Sequence, residues 1–492
     1  MNNSKTSLLS LAILCLAMIY PNSLLAQDDK DVFELYRQQI NNKFEATRQT
    51  HEKQFRNYRD SINNVYAEYL QKEWAQSSLY EGVPSPIKPE PKPIVDTTSI
   101  VSSRPLPHSE PISEEIPTSR PEPKEPIEPK EPISNTYSFS FFGVQCKVHA
   151  PASSFKMEDA SQESLAAGWE VLSSGCYDQL LKDCLYYRES LNLCDWGVYQ
   201  FLLTFSRNFF SGEDSNEAVL FQMYSLSQLG YKVRLCLQGG HLINLIAFSQ
   251  QVFSAPYIKI DGVEFYYLST LLREGEIKVC DFAFPDEKSA SLHIASLPLL
   301  PYSPTAYRKV QSEAFPSVST SVRVNKNLID FFDTYPCCSW ELFAEPSLSN
   351  EVKTQLYPIL NEKIKNLSER DSANILLNFV QTGFEYKTDD EQFGREKTFF
   401  GDEPFFYPYC DCEDRSILYA ILVRDLLDLD VVLLDYPSHI ATAVHFRENV
   451  SGDYFELDGK KYIICDPTYI GAPIGKSMPE MLKLKANILR IK

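Results

Sequence analysis

The chain has 492 residues, of which 43% are hydrophobic, with a formal net charge of −19 and 12 cysteines. That length and apolar content suffice for sizeable cores in about two to four domains. The acidic balance would repel phosphate backbones and anionic lipid, so nucleic acid is not an expected partner.

Residues 1–26 read as a secretory signal peptide: Lys5, an apolar run from Leu8 to Ile19, and the small residue Ala26 before Gln27. The mature chain is therefore expected to be exported, to the periplasm or beyond, with Cys15 outside any acylation motif. No later run approaches the roughly 20 continuous apolar residues of a spanning helix, which predicts no integral membrane segment.

Residues 27–80 form a predicted amphipathic, coiled-coil-like helix. An 11-residue repeat puts Phe33, Phe44, Phe55 and Tyr66 in register, with Tyr36, Tyr58 and Tyr69 beside them. Eleven residues lie close to three helical turns, so the aromatics share one stripe. That stripe serves either self-association or docking, or else packs back on the globular part. Residues 81–135 hold 14 of the chain's 31 prolines between Pro84 and Pro132 and read as a disordered, solvated, semi-stiff linker.

Residues 136–295, described further below, are expected to be a degenerate copy of the C-terminal domain. Residues 296–350 form a connecting segment in which Ser317–Asn325 alternates as a strand and Leu328–Phe332 is apolar. The C-terminal domain, 351–492, opens with helical spacing from Glu351 to Phe379, where Pro358 should start or kink a helix. An aromatic run from Phe399 to Tyr409, which could line an acyl groove or simply fill the core, leads into Cys410-Asp411-Cys412-Glu413-Asp414-Arg415-Ser416. From Arg415 onward Ile417, Leu418, Ile421, Leu422 and Leu426 recur at helical spacing, so Cys412 falls just ahead of a helix N-terminus, which favours a thiolate. Val431–Leu434 reads as a buried strand, and His439 opens the next one. Asp458-Gly459 marks a hairpin turn, and Asp466 ends the strand after Cys465.

Cys412, His439 and Asp466 are thus a nucleophile, a base and an orienter in chain order. Gln381 and Tyr409 are candidate oxyanion donors beside the Cys412 backbone N–H. The bland alternatives are a disulfide at Cys412, a strand-end histidine and an Asp-Pro turn. A zinc site built from Cys410, Cys412, Cys465 and a histidine is a further one. His445, six residues on, shares the strand face of His439 about 20 Å away, too far for both to meet one thiol.

The DCEDRSI stretch resembles the nucleophile motif of bacterial transglutaminase-like cysteine proteinases. HIATAV and CDPT resemble the histidine and aspartate motifs of the wider transglutaminase-core superfamily, the likeness covering about residues 365–475. The resemblance implies an α+β, papain-like or transglutaminase-like fold with Cys412, His439 and Asp466 as catalytic residues. It also implies calcium at Asp411 and Glu413, with Asp414 nearby; no other cofactor is required. No aromatic follows His439 as in many transglutaminases, which counts against cross-linking. The expected activity is thiol-dependent acyl transfer to water on a protein or peptide substrate, as a peptidase or amidase. A cross-linking transglutaminase and a non-enzymatic binding or scaffold protein are the alternatives.

Subtracting 198 from the numbering lays residues 412–446 on 214–248 without a gap, matching His439 with His241 and Phe446 with Phe248. Asp214 then replaces Cys412, and about Ser269 replaces Asp466. The earlier copy is expected to have lost the chemistry and to serve structure or binding.

Overall fold

A computed structural model describes residues 28–85, 94–96, 103–109, 111, 119–124, 127, 129, 134–210, 212, 215–268, 274–437 and 439–491. The expected signal peptide lies outside them, as do Asp214 and Ser269. No helix among the described residues is long and apolar enough to cross a membrane.

The chain divides into two units, 1–59 and 60–492. The first carries most of a 43-residue helix, Asp28–Leu70. On it Tyr36 and Phe44 are 57% and 65% exposed, so this part of the aromatic stripe is uncovered. The helix ends ten residues short of the expected boundary, and the remainder does something different. Tyr66, Ala67 and Leu70, in the second unit, are buried, with the Tyr66 ring 4.2 Å from that of Trp169. The chain then enters a sheet as strand β1 (Ala75–Ser77).

The other strands, in order, are β2 (Thr136–Phe141), β3 (Val144–His149), β4 (Val233–Gln238), β5 (His241–Ala247), β6 (Tyr257–Ile260), β7 (Val263–Tyr267), β8 (Ile277–Cys280), β9 (Arg308–Gln311), β10 (Ser319–Val322), β11 (Glu385–Tyr386), β12 (Tyr409–Cys410), β13 (Asp430–Tyr436), β14 (His439–His445), β15 (Tyr454–Leu457), β16 (Lys460–Cys465) and β17 (Asn487–Arg490). The fold is α+β with two larger sheets, both antiparallel. The first has the order β1-β8-β4-β5-β7-β6 and the second β15-β16-β14-β13-β17.

Apart from the added edge strand β1, the two orders are the same. Gln238 pairs with His241 and Leu235 with Asn244 in the first sheet, while Tyr436 pairs with His439 and Leu433 with Thr442 in the second. Every one of these numbers is offset by 198, so the sequence alignment carries over into strand register. Helix Asn216–Gln228 packs on β4 and β5, as helix Cys412–Leu427 packs on β13 and β14. Both late hairpins turn on Asp-Gly pairs with positive φ: Asp261 (49°) and Gly262 (81°), Asp458 (52°) and Gly459 (73°). Two successive positive φ values give the turn whose twist matches its strands, and glycine takes the second without a Cβ clash.

The run Val431–Leu434 is apolar at every position because both faces of its strand are covered. Val431 and Leu433 face the main core with the 412–427 helix, and Val432 and Leu434 face a second cluster with Ala441, Ile464 and Ile488. Leu106 of the proline-rich segment belongs to that second cluster. Its described pieces between 94 and 109 dock on that sheet and its loops: Leu106 N donates to Tyr454 O at 2.7 Å, Asp96 N to Ile470 O at 2.8 Å, and Arg104 makes a two-pronged contact with the buried Asp453 carboxylate at 3.1 Å. The expected solvated spacer is, at these residues, a strap, because it carries apolar and charged side chains that the sheet and its loops accommodate.

In the connecting segment, β9 and β10 pair and helix Lys326–Phe332 follows. Pro358 lies inside the continuous helix Asn350–Ile364 rather than at its start. The first part of the aromatic run is core: Phe399, Phe400 and Phe405 are buried, with Phe400 stacked on Phe332 at 4.3 Å, while Phe406, Tyr407 and Tyr409 are half-buried.

Candidate active site

Cys412 is the first residue of its helix, with Asp411 as N-cap in the extended conformation. Asp414 reaches back to the Asp411 N–H at 3.2 Å, and its other oxygen accepts the Phe399 N–H at 2.9 Å. This capping box satisfies donors that a helix start otherwise leaves open. It also engages Asp414, which is not among the buried carboxylates that converge nearby. Ser416 Oγ donates to Ile440 O at 3.1 Å, fixing the first helical turn against the start of β14, where His439 sits.

His439 Nε2 and Asp466 Oδ2 lie 2.9 Å apart, and both side chains are buried. The other Asp466 oxygen accepts the N–H groups of Thr468 (2.9 Å) and Tyr469 (3.1 Å), which fixes the carboxylate's orientation. Burial pulls the imidazole pKa down, but the Asp466 charge and hydrogen bond, supported by Cys412, outweigh it and hold His439 up at about 10. Nε2 is committed to Asp466, and the buried Nδ1 has no hydrogen-bond partner. The thiol itself donates to Glu413 Oε2 at 3.3 Å. His445 lies at the far end of β14 and bonds Lys461 O at 3.0 Å, apart from the cluster.

Gln381 is not an oxyanion donor. Its Nε2 donates to Asp466 O (3.0 Å), Tyr469 O (2.7 Å) and Ala472 O (3.1 Å), and its Oε1 accepts from Gly471 N (3.2 Å). With every polar atom spent, Gln381 instead holds the loop that carries Asp466. Arg415, buried, completes the connection by donating to Gln381 O at 3.0 Å and Phe384 O at 2.7 Å. One chain of contacts thus runs from the Cys412 helix through Arg415 and Gln381 to the loop of Asp466.

Tyr409 lies in β12 and exchanges backbone hydrogen bonds with the Gln392 side chain. The register of β11 with β12 sets Tyr409 beside Glu385, and Tyr386 beside Cys410. Tyr409 carries Lys387 over its ring at 4.3 Å. Tyr386, missed in the sequence, has a buried hydroxyl with no hydrogen-bond partner. Burial first, then the nearby Cys412 and Asp411, push that hydroxyl well above the usual phenol range. The only sequence sign of it is an aromatic three residues past the end of helix Glu369–Gly383.

Asp389, Asp411 and Glu413 each bring one carboxylate oxygen within 4.8 Å of the others, and all three residues are buried. An all-oxygen set of this kind fits a hard divalent cation such as calcium. Asp389, the first residue of the short helix Asp389–Phe393, joins Asp411 and Glu413 where the sequence reading named Asp414. The alternative zinc set is not assembled: Cys410 points to Glu385 O and Cys465 to Ile463 O. No protein-family model, curated protein or solved structure matches the chain.

Proposed function

We propose that the chain is an exported cysteine-dependent acyl-transfer enzyme with a transglutaminase-like catalytic domain, acting as a peptidase or amidase. The observation that carries this is the buried His439–Asp466 pair at 2.9 Å, with the free imidazole nitrogen left for the helix-start thiol of Cys412.

His439 Nδ1 takes the Cys412 proton, and the sulfur attacks an amide carbonyl carbon, forming the C–S bond as the C=O electrons move to oxygen. The Cys412 backbone N–H, free of an intrahelical acceptor, and the Tyr386 O–H would receive that oxyanion. Collapse expels the amine, which takes its proton from His439. Water, deprotonated by His439, then cleaves the thioester and releases the carboxylic acid and the thiol. Asp466 keeps the imidazole in one orientation and stabilises its charged form throughout. Asp389, Asp411 and Glu413 would hold a calcium ion. Its charge would offset the carboxylate that competes with His439 for the thiol proton.

The burial of Cys412, 1% exposed, favours a second reading as a non-catalytic binding protein. A peptide-library cleavage profile separates the two. Cleavage by the full chain that Cys412→Ala abolishes supports the enzyme, and a profile identical for both proteins rejects it.

A further inference from the structure

The first domain carries a polar cavity beside its helix Asn216–Gln228 and strand β5. Helix Asp195–Phe209 presents Trp196, Tyr199, Leu203 and Arg207 on one face of a cavity of about 160 Å³, opposite Gln222 and Asn244. At the 198-residue offset these last two correspond to Ala420 and Thr442. Ala420 is buried and apolar, and the Thr442 hydroxyl is spent on Cys465 O at 2.5 Å. The first domain therefore replaces an apolar and a self-satisfied residue with two amides.

The two amides form a network one donor short. Asn244 Nδ2 donates to Val219 O (3.1 Å) and Gln222 Oε1 (3.2 Å), while Gln222 Nε2 donates to Ser206 Oγ (2.8 Å). Asn244 Oδ1 is buried and receives nothing. A buried acceptor left open costs about 1–3 kcal/mol, which a ligand N–H would recover. The Trp196 N–H is already bound to Thr334 Oγ1 at 3.0 Å, and its ring stacks with Tyr199 at 5.2 Å, so the aromatic wall is rigid and apolar. Arg207 is exposed and, among the described residues, makes no ion pair. The volume lies below the roughly 300–1,000 Å³ of drug-sized sites, which confines the occupant to about one amino-acid residue.

An acceptor at the floor, an aromatic wall and an unpaired cation together match one chemical unit: an acylated amino acid with an apolar side chain and a free carboxylate. We infer that this cavity binds the C-terminal residue of a peptide, with its amide N–H on Asn244, its side chain on Trp196 and Tyr199, and its carboxylate on Arg207. The same unit occurs in a free N-acyl amino acid, and the site does not depend on the Cys412 chemistry.

The test uses the full-length Cys412→Ala chain, so that no result depends on catalysis. N-acetyl-phenylalanine, its C-terminal amide, its ester-linked analogue lacking the N–H, and an acetylated tetrapeptide ending in phenylalanine are titrated by ligand-observed NMR and calorimetry. The acid should bind, the amide and the ester-linked analogue about tenfold or more weakly, and Arg207→Gln should weaken the acid alike. Tighter binding of the tetrapeptide than of the single residue identifies a peptide end as the ligand; equal binding identifies the free acyl amino acid and overturns the peptide assignment. Asn244→Thr, which copies the second domain, should abolish binding. If that variant fails to fold, the exposed Arg207→Gln still decides. No binding of the acid, or equal binding of acid and amide, overturns the inference.

Discussion

Asp466→Asn isolates what the carboxylate does to the histidine. Asn retains an oxygen for the Thr468 and Tyr469 N–H groups, so the loop should survive, but it removes the charge beside His439 Nε2. In the wild type that charge outweighs burial and holds the imidazole at about 10 against an ordinary 6.5. Without it burial dominates, and the pKa should fall below 6.5, leaving a neutral ring at pH 7. The charged form is thereby disfavoured by on the order of 3–5 kcal/mol, the range found when a buried pair loses one partner. The assay is an NMR titration of the His439 ring protons in both proteins, with circular dichroism to confirm folding. A wild-type His439 that titrates near 6.5, or one that Asp466→Asn leaves unmoved, would refute the reasoning.

Because the folded pKa of His439 is raised, its contribution to stability is complete below about 6.5 and is lost as pH rises toward about 10. The melting-temperature gap between wild type and His439→Gln should therefore narrow across that interval, and a gap that widens with pH contradicts the assignment. Gln381→Leu removes four hydrogen bonds from the 466–472 loop and should cost about 2–4 kcal/mol in urea unfolding, with faster amide exchange confined at first to that loop. Calcium should raise the melting temperature of the wild type but not of Asp389→Asn. Asp414→Asn should keep the calcium response while losing about 1 kcal/mol of helix-cap stability, and a lost response would return Asp414 to the ligand set.

The sequence order of Cys412, His439 and Asp466 was enough to foresee their elements, because each sits at an element end that local patterning marks: a helix start, a strand start, and the close of a strand after an Asp-Gly hairpin. The 198-residue offset was legible for the same reason, since strand alternation and hairpin turns are local signals that register preserves. The charged and polar partners were not legible. Gln381 looked available for an oxyanion, and only the fold shows its amide spent on a loop some 85–91 residues away. Asp389 carried no sequence signal because it lies far from Cys412 along the chain and only the fold brings it to Asp411 and Glu413, whereas Asp414, close in sequence, is taken up by the helix cap. The proline-rich segment misled through composition: proline and charge predict solvation, yet Leu106 and Arg104 find a buried cluster and a buried carboxylate on the second sheet.

The central claim is that His439 activates Cys412. Brief treatment with iodoacetamide near neutral pH, followed by peptide mapping, compares Cys412 with the other described cysteines, several of which, such as Cys146 and Cys465, burial pushes up to about 12. The account predicts that Cys412 is modified first and that His439→Ala removes its lead, whereas equal rates at all cysteines in the wild type would contradict it.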